Sequence, residues 1–113
     1  MIKIEAIIKP FKLDEVKDAL VAIGIHGMTV IPETRGFGRQ KGRVEIFQGE
    51  ELEVSFLPKI KIEIVVTELM LEKALAVIQE RTKSGKIGDG KIFVTKLSAV
   101  VRLRTGESGE AAI

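Results

Sequence analysis

The sequence predicts an α+β fold in which the order strand, helix, strand occurs twice. The tetrapeptide IKIE occurs at Ile2–Glu5 and again at Ile60–Glu63, an offset of 60 − 2 = 58 residues. In each half, apolar residues at alternate positions are followed by apolar residues spaced three and four apart, the periods of a strand and a helix. A β-α-β-β-α-β order with right-handed crossovers gives a ferredoxin-like sandwich, with both helices on one face of an antiparallel sheet.

The first half supplies three elements. Alternating apolar residues from Ile2 to Ile8 predict the first strand, and apolar residues at helical spacing predict a helix over about residues 12–23. Gly24 follows the apolar stripe of this helix, where helix C-termini favour glycine. A second strand is predicted over about residues 28–36.

The second half repeats this order. A strand containing Ile60, Ile62 and Ile64 is followed by a predicted helix over about residues 68–83, and Gly85 lies just beyond that helix. The last strand is predicted over about residues 91–98, and a C-terminal segment of about residues 99–113 follows it.

Two helices cover only one face of such a sheet, yet the strands carry adjacent apolar residues. Ile7 lies beside Ile8, and Val65 lies beside Val66. Because side chains alternate between the faces of a strand, these pairs predict apolar surface on the uncovered face as well. Exposed apolar surface of this kind usually marks an interface, so we expect a closed homo-oligomer.

Residues 37–57 form a long insertion that the two halves do not share. Loops of this length within compact domains are uncommon and tend to be functional or disordered. The insertion contains two alternating stretches, VEIF and LEVSF, that predict a loose hairpin. Its base is basic, with Arg39, Lys41 and Arg43, and its tip is acidic. This pattern favours an anion at the root and another surface at the tip.

Composition limits the class of protein. At 113 residues with 45% hydrophobic content, the chain fits a single domain spanning residues 1–113. The absence of cysteine excludes disulfides and zinc fingers, and the opening MIKIEAIIKP alternates apolar with charged residues, unlike a signal peptide. We therefore expect a cytoplasmic protein without direct membrane insertion. A net charge of +2 is too small to indicate a nucleic-acid-binding protein.

The stretch GKIGDGKIFV resembles a phosphate-binding loop only in part. Its glycine and lysine spacing matches the P-loop motif, but Ile92 occupies the position that requires Ser or Thr, and the loop precedes a strand. Gly88 and Gly90 still allow backbone N–H groups to approach an oxyanion, and Lys91 adds positive charge. The alternative is a tight connection with solvated lysines. Further on, RLRTGE predicts an extended segment with two arginines on one side.

The sequence agrees less well with two other classes of function. RGFG at residues 35–38 matches the start of an RNA-recognition signature, so an RNA-binding domain is the alternative function. Arg39 replaces the aromatic residue that would follow, and the chain has no Tyr or Trp for stacking bases. The single histidine, His26, has no predicted catalytic partner, which argues against an enzyme.

Five stretches together resemble the PII signal-transduction protein family. They are IIKPFKL, GFGRQKG, FLPK, GKIGDGKIFV and RLRTGE, and they span nearly the whole chain. The resemblance implies a homotrimer that is not an enzyme and that binds ATP or ADP in clefts between subunits. It also implies that 2-oxoglutarate binds beside Mg-ATP, and that the protein signals nitrogen and energy status. Its target would be an ammonium transporter, a nitrogen-assimilation enzyme or a transcriptional regulator, and not nucleic acid.

The resemblance also implies site residues at the matching positions. The nucleotide-binding set comprises Thr29, Gly36, Phe37, Gly38, Arg39, Gln40, Val65, Gly88, Asp89, Gly90, Lys91, Arg102 and Arg104. Within this set, Thr29, Val65 and residues 36–38 belong to the adenosine end. Arg39 and residues 88–91 hold the phosphates, while Arg102 and Arg104 reach in from the neighbouring subunit.

The second effector and the metal share part of this set. The resemblance implies that Gln40 binds Mg²⁺ through its amide oxygen, together with ligand oxygens. The 2-oxoglutarate-binding set comprises Gln40, Lys41, Gly42 and Lys59. A dianionic acid beside a triphosphate would be repelled unless a divalent ion and a cationic side chain lay between them.

The sequence departs from the family pattern at several positions. Leu52 occupies the position of the tyrosine that is uridylylated in many relatives, so no such modification is expected. Glu50 and Gln48 replace residues used for phosphorylation or for transporter insertion in other members. His26 replaces a common threonine, and one extra residue between Val30 and Gly36 predicts a bulge in the second strand.

Overall fold

The computed structural model describes residues 1–38, 44–47, 50–53 and 56–113. Its strands and helices in chain order are β1 (Ile2–Ile8), α1 (Leu13–Ala22), β2 (Thr29–Gly36), β3 (Val44–Phe47), β4 (Glu50–Glu53), β5 (Leu57–Val66), α2 (Glu68–Thr82) and β6 (Gly90–Lys96). Short 3₁₀ turns occupy Pro10–Lys12 and Gly109–Ala112. Each predicted helix and each strand of the two repeats is present.

Four of the strands form one antiparallel sheet in the order β2-β5-β1-β6. The two central strands come from the start of each repeat, and Ile4 of β1 lies opposite both Ile64 of β5 and Val94 of β6. This arrangement confirms the predicted ferredoxin-like fold. It also brings the ends of β1, β2, β5 and β6 together at the two opposite ends of the sheet.

The core lies between one face of the sheet and the two helices. Alternate residues of β1 and β5, beginning at Ile2 and Ile60, are buried. They pack with the helical pairs Val16 and Leu20 of α1 and Ala74 and Ile78 of α2. Each pair is spaced by four residues and so lies on one helix face. Burying each isoleucine side chain contributes on the order of 1.5–3 kcal/mol, so this layer anchors the sheet.

The opposite face of the sheet is less apolar than the adjacent apolar residues in the sequence predict. Ile8 and Val66 belong to the buried core, whereas Ile7 and Val65 are half-buried on the open face. Charged residues separate these apolar side chains, and the Lys3 Nζ atom lies 2.8 Å from Glu5 Oε1. This hydrogen bond lowers the pKa of Glu5 and raises the pKa of Lys3. The homo-oligomer stays a prediction.

Strand β2 contains the predicted bulge. Ile31 pairs with Lys61, but the next regular pair joins Thr34 to Lys59. Three steps along β2 therefore match two steps along β5, which accommodates the extra residue. The Thr34 hydroxyl donates a hydrogen bond to the Ile31 carbonyl at 3.0 Å and closes the bulge.

The insertion contains the predicted hairpin. Strands β3 and β4 pair antiparallel, with Val44 opposite Glu53 and Phe47 opposite Glu50. The second strand begins at Glu50, two residues before the LEVSF stretch from which it was predicted. No helix in the described part of the chain is long and apolar enough to cross a membrane.

Candidate functional site

The connection between α2 and β6 and the first two residues of β6, together residues 83–91, are here termed the glycine loop. Gly85, Gly88 and Gly90 have φ angles of +82°, +99° and +114°, which side chains rarely adopt. Gly90 is constrained further, because a Cβ atom there would lie 1.8 Å from the Ile7 carbonyl oxygen. The glycine loop therefore approaches the end of β1 so closely that only glycine fits at residue 90.

Asp89 holds the glycine loop in shape. Its Oδ2 atom accepts hydrogen bonds from the backbone N–H groups of Ser84 at 2.7 Å and Gly85 at 3.0 Å. Its Oδ1 atom accepts from the Ser84 hydroxyl at 2.5 Å and from Lys9 Nζ at 3.3 Å. The Ser84 hydroxyl and these other donors hold the pKa of Asp89 well below its ordinary value. The carboxylate therefore stays charged, and both of its oxygens accept hydrogen bonds from within the protein.

Lys59 of β5 reaches the same loop from the adjoining strand. Its Nζ atom donates a hydrogen bond to the Gly88 carbonyl at 2.8 Å. Partial burial lowers the pKa of Lys59, and the positive charge of Lys9 lowers it further. Two ammonium groups thus lie beside the glycine loop, which favours an anionic ligand.

A pocket of about 590 Å³ opens between these elements. We term it the glycine-loop pocket; it is lined by Ile7, Gly36, Phe37, Gly38, Lys59, Gly88, Gly90, Lys91 and Phe93. Seven of these nine residues belong to the predicted nucleotide and 2-oxoglutarate sets. The fold brings them together because the C-terminal ends of β1 and β2 lie beside the N-terminal ends of β5 and β6, at one end of the sheet.

Three further predicted residues lie at the opposite end of the sheet. Thr29, Val65 and Arg102 line a second pocket of about 790 Å³, here termed the C-terminal pocket because Ile113 also lines it. Glu63 and the unusual His26 contribute to the same pocket. The structure therefore divides the predicted nucleotide-binding residues between two separate pockets of one chain.

The segment around Arg102 is a tight turn, so the predicted extended segment is wrong. The backbone N–H of Arg102 donates to the Glu107 carbonyl, and the N–H of Gly106 donates to the Arg102 carbonyl, both at 2.8 Å. Arg102 Nη1 lies 3.2 Å from Glu107 Oε1. Thr105 and Gly106 allow the chain to reverse here, which an extended reading of RLRTGE ignored. Arg104 lies on the exposed turn rather than beside Arg102.

Several site residues were missed by the sequence reasoning. Lys9 gave little signal, because its contact with Asp89 spans 80 residues of chain. Ser84 and Glu107 each contact a residue five positions away, which no strand or helix period reveals. The only available cue for Lys9 was its position between a strand and a proline. Arg39, Gln40, Lys41 and Gly42 lie outside the described residues. Within the described ranges, no cluster of three or more His, Asp or Glu residues could hold a metal ion.

Comparison with known proteins gives consistent matches over the whole length. A family model described as "Nitrogen regulatory protein P-II" matches residues 1–107. A protein of that name from Azospirillum brasilense is 59% identical, and others from Pasteurella multocida and Rhodospirillum rubrum are 58% and 57% identical. Each of these alignments covers 100% of both chains.

Proposed function

The chain belongs to the family of nitrogen regulatory proteins P-II, and on that premise we propose that it senses ATP or ADP together with 2-oxoglutarate. Membership of the family makes it a nitrogen-signalling regulator of target proteins and not an enzyme. The RNA-binding alternative receives no support from these matches. We propose which ligands it binds, that it forms a trimer and how it controls its targets.

The observation that carries the proposal is the division of the site between two pockets. Lys59 and Val65 are six residues apart on β5, which corresponds to about 20 Å along a strand. The glycine-loop pocket offers cations and close backbone for phosphates, while the C-terminal pocket offers Thr29, Val65 and Arg102. We propose that the glycine-loop pocket of one subunit faces the C-terminal pocket of its neighbour in a closed trimer.

In this arrangement the nucleotide lies across the subunit boundary. Gly88, Gly90 and Lys91 hold the phosphates together with Arg39, and Arg102 and Arg104 of the neighbour complete the charge balance. The Arg102–Glu107 contact at 3.2 Å supports this role, because it fixes a guanidinium group at the rim of the C-terminal pocket. In this proposal neither pocket suffices alone, because the two subunits share the cations that bind the phosphates.

The proposed site for 2-oxoglutarate adjoins the phosphates. Gln40 supplies an amide oxygen to Mg²⁺, and the backbone N–H groups of residues 40–42 hold one carboxylate. Lys59 receives the other carboxylate, and its hydrogen bond to the Gly88 carbonyl supports this assignment because it places the ammonium group beside the loop proposed to hold the phosphates. The metal supplies the positive charge that lets two anions share one cleft.

The insertion transmits the signal in this proposal. Ordering about 20 residues costs on the order of 20 kcal/mol of backbone entropy, at about 1 kcal/mol each. A ligand of micromolar affinity provides only about 8 kcal/mol. Ligands can therefore set the conformation of residues 40–43 but not of the whole insertion, and the target protein supplies the remaining contacts. The ligands control the target only by preferring one conformation over another.

Calorimetric titration tests the proposal. We expect ATP to bind the unmodified chain, and 2-oxoglutarate to bind only when Mg²⁺ and ATP are both present. Gln40→Ala should abolish this synergy and leave Mg-free ATP binding in place. Glu72→Ala, which shortens an exposed side chain of α2 that lines neither pocket, should change neither property. Normal 2-oxoglutarate binding by Gln40→Ala would show that the metal bridge is wrong. No ATP binding by the unmodified chain would refute the function.

A further inference from the structure

Lys9 makes a long-range contact to the glycine loop that its place in the sequence does not explain. It follows β1 directly, and its Nζ atom lies 3.3 Å from Asp89 Oδ1, across 80 residues of chain. The two side chains are 19% and 22% exposed, so the ion pair is partly shielded from solvent. Shielding strengthens such a pair relative to an open surface pair.

Asp89 is the point at which the whole glycine loop is fixed. Its other three hydrogen bonds go to the backbone and hydroxyl of Ser84 and to the backbone of Gly85, at the far end of the loop. It also lies between Gly88 and Gly90, both in the positive φ region. The direction of the Asp89 side chain therefore determines the orientation of the backbone N–H groups of these two glycines.

The charge of Asp89 creates a second requirement. A carboxylate within a loop that is to hold phosphates would repel them unless its charge were balanced. Lys9 supplies that balance at Oδ1, the oxygen that also accepts the Ser84 hydroxyl. Lys59 of β5 donates a hydrogen bond to the neighbouring Gly88 carbonyl. Gly88 is therefore held by Lys59, and Asp89 is held by Lys9, which follows β1.

We propose that Lys9 and Asp89 are a positioning pair for the phosphate site. The inference rests on the proposed nucleotide binding and assigns Asp89 a role different from direct phosphate contact. Lys9 orients and neutralises Asp89, and Asp89 sets the course of the glycine loop. Gly88, Gly90 and Lys91 then face the phosphates in a fixed arrangement. Neither member of the pair touches the ligand.

The test is the binding of ATP, ADP and adenosine to Lys9→Met. Because the pair acts on the phosphate loop alone, the affinities for ATP and ADP should fall roughly three- to tenfold, a modest loss because the ion pair is only partly shielded. The affinity for adenosine, which has no phosphate, should not change. Lys9→Arg should retain most of the affinity, because it keeps the charge. Lys17→Met, which removes an exposed lysine from α1, is the matched control.

A double-mutant cycle tests whether Lys9 acts through Asp89. Asp89→Asn should also weaken ATP and ADP while sparing adenosine, and Lys9→Met should add little once Asp89 is changed. If the losses of ATP affinity in the two single variants were fully additive in the double variant, Lys9 would not act through Asp89 and the inference would be wrong. Asp89→Asn is nearly isosteric, so it carries the test alone if Lys9→Met fails to fold.

The outcomes separate the inference from the proposed function. If the unmodified chain binds ATP and both Lys9→Met and Asp89→Asn bind it equally well, the positioning pair is wrong and the function stands. If the unmodified chain binds no nucleotide, the function itself fails. Equal loss of ATP and adenosine binding in the variants would indicate a general structural defect and would also overturn the inference.

Discussion

Asp89 illustrates what a single residue does in this site. The resemblance to the family placed it among the phosphate-binding residues, and the structure places its carboxylate against Ser84, Gly85 and Lys9. No local pattern could have predicted Lys9 as a partner, because it lies 80 residues away. By contrast, the glycines on either side of Asp89 were predicted from sequence, since a close backbone approach requires glycine in any fold.

Acidification tests the Asp89 contacts directly. The pKa of Asp89 is lowered in the folded chain, so its contribution to stability is fully present above the ordinary value of 3.8 and is lost as the pH falls below it. Asp89→Asn removes this titration, so the free energy of unfolding should fall less steeply below pH 4 than in the unmodified chain. Chemical unfolding at a series of pH values measures the difference. Parallel curves for the two proteins would show that these contacts do not stabilise the fold.

At the scale of elements, periodicity predicted most of the fold. The buried stripes of α1 and α2 and the alternating residues of β1 and β5 carry a strong signal, because the core needs them. The bulge in β2 followed from one extra residue. The turn at Arg102 was missed because its hydrogen bonds to Glu107 depend on the path of the C-terminal segment, which has no periodic pattern.

The contact between β1 and β6 gives a prediction at this scale. Gly90→Ala places a Cβ atom 1.8 Å from the Ile7 carbonyl oxygen, so the start of β6 must move. We expect a loss of more than about 3 kcal/mol in the free energy of unfolding, since backbone strain adds to the steric overlap. Gly85→Ala is the control, because its φ is also positive but no atom lies within 4 Å; it should cost about 1 kcal/mol. Similar losses in urea unfolding of the two variants would contradict this account.

At the scale of the whole molecule, the family resemblance implied a set of site residues but not how one chain divides them. Thr29 and Gly36 lie at opposite ends of β2, and only the strand order shows that they line different pockets. The exposed face of the sheet and the two half-sites are both consistent with assembly from several copies. The division of the site is therefore the structural reason for proposing a nucleotide cleft between subunits.

Complementation between two defective variants tests this central claim most directly. Lys91→Ala should impair the glycine-loop pocket and Arg102→Ala should impair the C-terminal pocket, so each variant alone should bind ATP weakly. When the two are dissociated together and reassembled in equal amounts, random mixing should restore about a quarter of the clefts, because each cleft takes one pocket from each of two subunits. We predict that the mixture regains tight ATP binding at about that fraction of sites. A mixture that binds ATP no better than the separate variants would contradict a site shared between subunits.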